Sequence, residues 1–344
     1  MNMTSNPTQM RTEILEIPGS VARLLSEGRG DIQAAAERLR AVDPTMFLSV
    51  ARGSSDHACT FLKYAAELIL QKPMASIGPS VSSVYGATLN APGAACLSIS
   101  QSGQSPDIVR MTESLKLNGA ETVAITNDAG SRLANVADMV LPIHAGPELS
   151  VAATKTFVNS LVAGLWLIAE VKQDQSLITA IEALPEQLSQ AIACDWSAAA
   201  EAINGSSVYT LGRGPSSAIS NEAALKFKET CLIHAESYSS AEVMHGPVSI
   251  VDQSFPVLAF AAGDAAEETV AETADLLAQK GARVFTTAKS VKHAEALPHV
   301  RTDHWLTDPI ATIVSFYSMV ETVATGRGIN PDQPRHLNKV TETV

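Results

Sequence analysis

A segment that predicts a strand, a glycine-containing turn and a helix occurs twice in this chain. The first copy is MFLSVARGSSDHACTFLKYAAELIL, from Met46, and the second is VYTLGRGPSSAISNEAALKFKETCLI, from Val208. Each copy continues with a further strand and turn, ACLSISQSG or PVLAFAAGD, and with a third strand, TVAITN or RVFTTA. Repetition on this scale indicates duplicated domains. Strands that alternate with helices favour a mostly parallel sheet, so we expect an α/β fold with two tandem three-layer α/β/α sandwiches.

The length of 344 residues suits two such domains, since about 150 residues per domain is a usable prior. Before the first core strand, apolar residues at helical spacing predict two helices within residues 11–44. We expect the chain to divide into N-terminal helices at 1–44, a first domain at 45–170, a helical linker at 171–204, a second domain at 205–326 and a tail at 327–344.

The charge balance argues against nucleic acid as a partner. The formal net charge is -12, and no run of lysines or arginines provides a basic face, so a polyanion would be repelled. The four cysteines have neither the spacing of a zinc site nor that of a disulfide framework. The sequence contains no signal-peptide core and no apolar window of about 18 residues. We therefore expect a cytoplasmic protein with no membrane partner and no bound metal.

Hydroxyl side chains follow the apolar strand ACLSI in the turn SQSGQS, residues 100–105. Three hydroxyls, a glycine and the free amides of the next helix, which opens at Pro106, form a cradle for a phosphate monoester. The alternative is a serine-rich helix cap without a ligand. We expect Gly53, Ser54 and Ser55, in the first turn, to add amide and hydroxyl contacts. The GRG at residues 212–214 lacks a third glycine, so no dinucleotide site is expected.

Three charged residues fall on one face of the predicted helix SNEAALKFKETCL. Glu222, Lys226 and Glu229 are spaced at i, i+4 and i+7. The alternative is a solvated face with an intrahelical ion pair. The helix follows the first turn of the second domain, where a ligand is expected. A carboxylate held beside a lysine there can move a proton between adjacent carbons, as aldose-ketose isomerisation requires.

Two further side chains are candidates for acid-base or charge-stabilising roles. His245 lies among turn formers in AEVMHGP, and an imidazole that titrates near neutrality suits the opening of a sugar ring. A buried capping histidine is the alternative. Lys339 lies in the proline-containing tail GINPDQPRHLNK; such tails commonly fray, but a lysine that folds over a site can stabilise an oxyanion. Five other histidines lack comparable neighbours in the sequence: His57, His144, His293, His299 and His304.

The chain contains five motifs in a fixed order: SQSG, VAATKTF, NEAALKFKE, HAESYSSAEVMHGP and NPDQPRHLNK. Together they resemble the isomerase half of glucosamine-6-phosphate synthase, a double sugar-isomerase (SIS) protein, and the resemblance spans nearly the whole chain. It implies two tandem SIS domains that bind a sugar phosphate. It also implies phosphate and sugar contacts from nine residues: Ser54, Ser55, Ser100, Gln101, Ser102, Ser105, Val151, Ala153 and Lys155.

The resemblance also assigns roles to the acid-base candidates. The family's proton-transfer glutamate matches Glu229, which is flanked by Lys226 and Glu222. The ring-opening histidine matches His245, and the tail lysine matches Lys339. In the family this histidine reaches into the site of the neighbouring subunit, so the resemblance implies a homodimer in which His245 is shared.

The sequence departs from the synthase pattern in two ways. Arg52 stands where the family often has cysteine, and Ala153 where it often has serine. The synthase also carries an N-terminal glutaminase domain with a nucleophilic cysteine, whereas this chain begins MNMTSN, so we expect no ammonia from glutamine. The resemblance then implies the reverse direction: glucosamine 6-phosphate and water give fructose 6-phosphate and ammonia. We expect no metal or organic cofactor, because the carbonyl and imine of the open sugar provide the activation.

Three other functions are open on the sequence. One is ketose-aldose isomerisation of another sugar phosphate, such as a galactosamine or tagatose phosphate. A second is a deglycase that cleaves a fructosamine 6-phosphate. The third, of another class, is a non-catalytic sensor that binds a sugar phosphate and regulates a partner. Against a sensor, the chain retains Glu229, His245 and Lys339 and has no helix-turn-helix extension.

Overall fold

Two parallel five-stranded sheets organise the molecule, one in each half of the chain. The structure is a computed structural model and describes residues 7–339, so the outermost residues of the predicted N-terminal region and tail, 1–6 and 340–344, lie outside it. The predicted α/β class with parallel sheets is confirmed. The first sheet contains β1 Met46–Val50, β2 Met74–Ser76, β3 Ala94–Ile99, β4 Glu121–Thr126 and β5 Met139–Pro142. The second contains β6 Ser207–Gly212, β7 His234–Ser239, β8 Pro256–Ala259, β9 Arg283–Thr286 and β10 Glu295–Ala296.

The two sheets have the same strand order, β2-β1-β3-β4-β5 and β7-β6-β8-β9-β10. All the neighbouring strands in these orders pair in parallel. The direction of the crossovers switches between β1 and β3, and again between β6 and β8. Ligands of open α/β sheets bind beyond the carboxyl ends of the strands at such a point. The fold therefore offers two candidate binding edges, one in each domain.

The chain before β1 folds into three helices, one more than the sequence predicted: α1 Gln9–Leu15, α2 Ile17–Glu27 and α3 Arg29–Val42. Pro18 lies in the first turn of α2, where its missing N–H costs nothing and its fixed φ favours a helix start. Gly28 separates α2 from α3. The helical periodicity continues across both breaks, which is why it predicted fewer and longer helices.

Helices cover both faces of each sheet and join the two domains. The first domain contains α4 Ser54–Ala65, which continues as a π-helical turn Ala66–Leu70, and then α5 Ser80–Ser83, α6 Pro106–Leu117, α7 Arg132–Val136 and α8 Lys155–Lys172. The connecting segment contains α9 Gln175–Glu182, α10 Leu184–Ile192 and α11 Ser197–Ala202. The second domain contains α12 Ser216–Cys231, two 3-10 turns at Glu242–His245 and Pro247–Ile250, α13 Glu267–Gln279 and α14 Asp308–Gly326.

One apolar core spans the two domains. Its cluster of buried side chains runs from Met10 to Ala324 and takes residues from both sheets and from the connecting helices. Helices α8 and α14 are buried along nearly their whole lengths, as expected of helices that are apolar on all sides. Helix α12 of the second domain packs against α4 of the first. This contact brings the charged face of α12 to the first turn of the first domain.

Within residues 7–339, no helix has both the length and the apolarity needed to cross a membrane.

Candidate functional site

The predicted phosphate cradle, residues 100–105, is an ordered turn between β3 and α6. The backbone N–H of Gly103 donates to Ser100 Oγ at 3.2 Å, and the N–H of Gln104 donates to Ser102 Oγ at 3.3 Å. Ser105 is the N-cap of α6, but its side chain makes no capping hydrogen bond. The Ser105 hydroxyl lies beside the first turn of α6, where Pro106 has no N–H and the N–H of Ile108 donates to Asp107 Oδ1 at 2.8 Å. Hydroxyls at a helix N-terminus are among the groups that bind phosphate.

Glycine is required at position 103 of this turn. Its φ is +61°, and a Cβ placed there would lie 2.1 Å from Ser131 Oγ. That distance is far below van der Waals contact, so any other residue would displace the turn that contains Ser102 and Gln104. The glycine thus holds the cradle close to the loop that follows β4.

The turn after β1 is joined to the cradle and to the second domain. Arg52 donates from Nε and Nη2 to Oδ2 of Asp107, in the first turn of α6, at 3.0 Å each. Ser54 Oγ donates to Glu222 Oε1 at 3.0 Å and accepts from Lys226 Nζ at 3.1 Å. The hydroxyl of Ser54, a predicted ligand contact, therefore hydrogen-bonds to the charged face of α12. Gly53 and Ser55 lie beside it in the same turn, where Gly53 has a φ of +54°.

The charged face of α12 is a buried ion-pair cluster. Lys226 Nζ lies 3.1 Å from Glu222 Oε1 and 2.5 Å from Glu229 Oε2, and the Glu222 and Lys226 side chains have no exposed surface. Burial lowers the pKa of Lys226, but the two carboxylates outweigh it and the pKa lies above its usual value. Burial raises the pKa of Glu222, but Lys226 and His57 outweigh it and the pKa lies below its usual value. Both groups are therefore charged at neutral pH.

Glu229 differs from its two neighbours because its side chain is 19% exposed. It is the carboxylate of the cluster that a ligand can reach. Its carboxylate accepts a hydrogen bond from the buried Lys226 ammonium, which holds it in one position. The alternative of a solvated helix face is wrong, since Glu222 and Lys226 are fully buried.

Two members of the cluster were not predicted from the sequence. His57 Nδ1 lies 2.9 Å from Glu222 Oε2, and the hydroxyl of Tyr317 donates to Glu222 Oε1 at 3.2 Å. His57 has no comparable neighbours in the sequence, and it meets Glu222 only because α4 packs against α12 in the folded chain. His57 also lines a cavity of about 410 Å³ with Gly53 and Asp56. Nothing in the apolar sequence around Tyr317 marked it out.

The tail folds back onto the loop that precedes α8. Lys339 Nζ donates to Glu148 Oε2 at 2.9 Å and to the carbonyl of Ser150 at 2.6 Å. Glu148 is buried and also accepts from the N–H groups of Thr154 and Thr156. Burial raises its pKa, but Lys339 and these hydrogen bonds outweigh it and the pKa is lowered. Lys339 therefore lies against the loop that contains Val151 and Ala153.

Two predicted residues are placed away from the cluster. The side chain of Lys155 is nearly buried, and its Nζ pairs with Glu16 Oε2 at 2.5 Å, at the junction of α1 and α2. His245 is exposed in its 3-10 turn, and among residues 7–339 no hydrogen bond or ion pair joins it to another candidate residue. Lys155 thus holds the N-terminal helices, and His245 projects outward from its own chain. No group of three or more metal-ligating side chains is arranged for a metal ion within the same described range.

Comparison with known proteins identifies the family to which this chain belongs. A family model described as the SIS domain matches residues 46–170 and 203–326. A glutamine-fructose-6-phosphate aminotransferase (isomerizing) from Sulfurisphaera tokodaii is 28% identical over 345 residues, which cover 98% of this chain and 57% of the relative. The enzyme of the same name from Caulobacter vibrioides is 31% identical over 84% of this chain and 51% of the relative. The chain therefore spans about half the length of the curated relatives that it matches.

A solved structure from Silicibacter pomeroyi is similar over almost the whole fold. Its protein carries a provisional assignment as a phosphosugar isomerase. The TM-score is 0.93 and the sequence identity is 60%, with 95% of this chain and 100% of that chain covered. The charged cluster on α12 and the turn at residues 100–105 therefore lie in a framework that an experimental structure also adopts.

Proposed function

The chain belongs to the SIS domain family, and from this premise we propose that it is a sugar-phosphate isomerase that acts as a glucosamine-6-phosphate deaminase. The reaction converts glucosamine 6-phosphate and water to fructose 6-phosphate and ammonia. The observation that carries the proposal is the partly exposed carboxylate of Glu229, which buried Lys226 holds at 2.5 Å. A fixed base of this kind is what proton transfer between C2 and C1 of an open-chain sugar requires.

The phosphate of the substrate binds in the cradle at residues 100–105. The hydroxyls of Ser102 and Ser105 are its donors, and the dipole of α6 adds a favourable field. This contact fixes the distal end of the sugar and lets C1 and C2 meet Glu229. Holding both reacting groups in one geometry removes much of the entropic cost of the reaction.

Glu229 removes the proton from C2 of the open aldehyde, and the electrons of that bond form a C1–C2 double bond while the C1–O double bond becomes single and its oxygen takes a proton from solvent. The proton held by Glu229 is then delivered to C1, which leaves a C1 hydroxyl and a protonated imine at C2. Water adds to C2, ammonia departs, and the carbonyl of fructose 6-phosphate forms. The carboxylate ends the cycle ionised, so the same group serves each turnover.

Lys339 and His245 complete the proposed site. The ammonium of Lys339 lies against the loop of Val151 and Ala153, where it stabilises negative charge that develops on the sugar oxygens. His245 opens the sugar ring from the partner subunit of a homodimer. Its exposed position and its lack of contact with Glu229 in the described part of its own chain support a role across subunits.

The four cysteines are not suited to act as nucleophiles in the proposed reaction. Burial raises the pKa of all four thiols, to about 12 for Cys96 and about 11 for Cys231. A nucleophilic cysteine requires a lowered pKa and access to substrate. All four are free thiols, which suits a reducing cytoplasmic compartment.

Incubation of the purified protein with millimolar glucosamine 6-phosphate tests the proposal, with ammonia and fructose 6-phosphate assayed in parallel. We expect the two products to appear in equal amounts. Absence of ammonia would contradict deamination. Conversion of a tagatose or galactosamine phosphate without ammonia would identify another isomerase, and release of an amine from a fructosamine 6-phosphate would identify a deglycase. Tight binding without any turnover would identify a sensor.

A further inference from the structure

The second domain contains a large cavity at the edge that corresponds to the phosphate cradle of the first. It has a volume of about 860 Å³, within the usual size range of small-molecule sites. Arg213 and Gly214, after β6, form one wall, and Gly263 and Asp264, after β8, form another. The cavity therefore lies where the strand order of the second sheet switches, the position at which open α/β sheets bind ligands.

The hydroxyls that would hold phosphate in the first domain are absent from the equivalent turn here. The sequence after β8 is Phe260-Ala261-Ala262-Gly263-Asp264, and the first turn of α13 carries Glu267 and Glu268. Carboxylates at this helix start repel a phosphate. The turn therefore cannot repeat the chemistry of residues 100–105 and favours a positively charged group.

The lining of the cavity carries two carboxylates, those of Asp264 and Glu242. Asp264 Oδ1 accepts from the N–H of Ala266, and its Oδ2 would lie 3.9 Å from a Cβ on Gly214, so it faces the opposite wall. Burial, together with repulsion from Asp308 and Glu267, raises the pKa of Asp264, although Arg301, which pairs with both of these carboxylates, acts in the opposite direction. An ammonium group beside Asp264 would offset the excess of negative charge.

The lining also carries one cationic side chain, that of Arg213. Within residues 7–339, no hydrogen bond or ion pair occupies the guanidinium of Arg213. It lies just before α12, a helix of 16 residues with no acidic residue in its first turn, so the helix dipole adds to its charge. A guanidinium in this setting binds a phosphate or carboxylate. The aromatic side chains of Tyr64, from α4, and Trp305, from the segment before α14, also line the cavity.

We propose that this cavity is a second ligand site, separate from the cradle at residues 100–105, for a small zwitterionic metabolite. The anionic group of the ligand binds Arg213, and its ammonium group binds Asp264. The site lies between the domains, because residues of α4 and residues of the second domain both line the cavity. Two kinds of metabolite share this chemistry, an amino-sugar phosphate and an α-amino acid.

Calorimetric titration tests the proposal in a Glu229→Gln chain, so that no substrate is consumed. In this chain we expect glucosamine 6-phosphate or L-glutamine to bind at the proposed site with one equivalent. When Arg213→Ala is added to Glu229→Gln, this equivalent should be lost, or its affinity should fall by about tenfold or more. Asp264→Asn should weaken the same equivalent. Fructose 6-phosphate, which has no ammonium group, should not fill this site.

The comparison of variants separates this site from the proposed catalytic one. Ser102→Ala should remove the equivalent at the cradle and leave the equivalent at Arg213 in place. If the cavity at Arg213 binds glucosamine 6-phosphate, two equivalents of this ligand bind per chain, one in the cavity and one in the cradle. If the cavity binds L-glutamine, one equivalent of each ligand binds per chain. The proposal would be overturned if Arg213→Ala changed the binding of neither ligand, or if it weakened the binding of fructose 6-phosphate equally.

Discussion

Lys226 is the residue on which the acid-base cluster depends. It neutralises Glu222, which has no exposed surface and no other nearby lysine or arginine among its described contacts. Removing one partner of a buried pair leaves an uncompensated charge in a medium that solvates it poorly. The same amine holds the Glu229 carboxylate in place. The stability of the fold and the proposed catalysis therefore both depend on the Lys226 amine.

Lys226→Met should lower the free energy of unfolding by about 3–5 kcal/mol, the usual cost of breaking a buried ion pair. Denaturant unfolding measures this value. Lys228→Met, two residues further along the same helix, is the matched control because Lys228 is exposed. We expect the control to stay within about 0.5 kcal/mol of wild type. Equal effects of the two substitutions would contradict the buried-cluster account.

The lowered pKa of Glu222 gives a prediction for acid stability. A carboxyl group whose pKa is lower in the folded than in the unfolded chain stabilises the fold above the unfolded pKa, and this contribution is lost as the pH falls through the folded value. The ordinary glutamate value is 4.5. When the pH is lowered from 7, the free energy of unfolding should therefore begin to decrease once the pH is below this pKa. The decline should be shallower in Glu222→Gln, and parallel curves would contradict the assignment.

At the scale of elements, the cradle depends on the turn that joins β3 to α6. Gly103 has a positive φ and a close approach to Ser131, whereas Gly86 has nearly the same φ, +62°, and open space around it. A substitution at Gly86 would therefore cause backbone strain alone, whereas a substitution at Gly103 would cause backbone strain and a steric clash. Of these two glycines, Gly103 is the one that would hold the proposed phosphate donors in position.

Gly103→Ala should weaken the binding of fructose 6-phosphate and destabilise the fold, whereas Gly86→Ala should cost only the strain of a positive φ, about 1–2 kcal/mol. Denaturant unfolding and phosphate-ester titration give the two readouts. Sugar-phosphate affinity that is unchanged in Gly103→Ala would show that the turn does not hold the ligand.

Elements built from neighbouring residues were predictable, and contacts between distant elements were not. The turn at residues 100–105 follows an apolar strand and precedes Pro106, so its place at a sheet edge followed from the sequence. The contact of His57 with Glu222 joins residues 165 positions apart and depends on the packing of α4 against α12. Lys155 looked like part of the site because it lies in VAATKTF, but the direction of its side chain toward Glu16 is decided by the fold of the N-terminal helices.

At the scale of the whole molecule, the duplication has produced two unequal halves. The first domain supplies the hydroxyls of residues 100–105, and the second supplies Glu222, Lys226 and Glu229. The shared apolar core and the packing of α12 against α4 keep these parts in one arrangement. In the proposed reaction they form one composite catalytic site per chain, in which one repeat holds the phosphate and the other moves the proton.

Glu229→Gln tests this composite site most directly, because it removes the base and keeps the shape of the side chain. Turnover of glucosamine 6-phosphate and the Kd of fructose 6-phosphate are measured on the same preparation. The account predicts that turnover falls by about 100-fold or more, while the Kd stays close to wild type because the cradle belongs to the other domain. Wild-type turnover in Glu229→Gln, or loss of binding together with turnover, would contradict it.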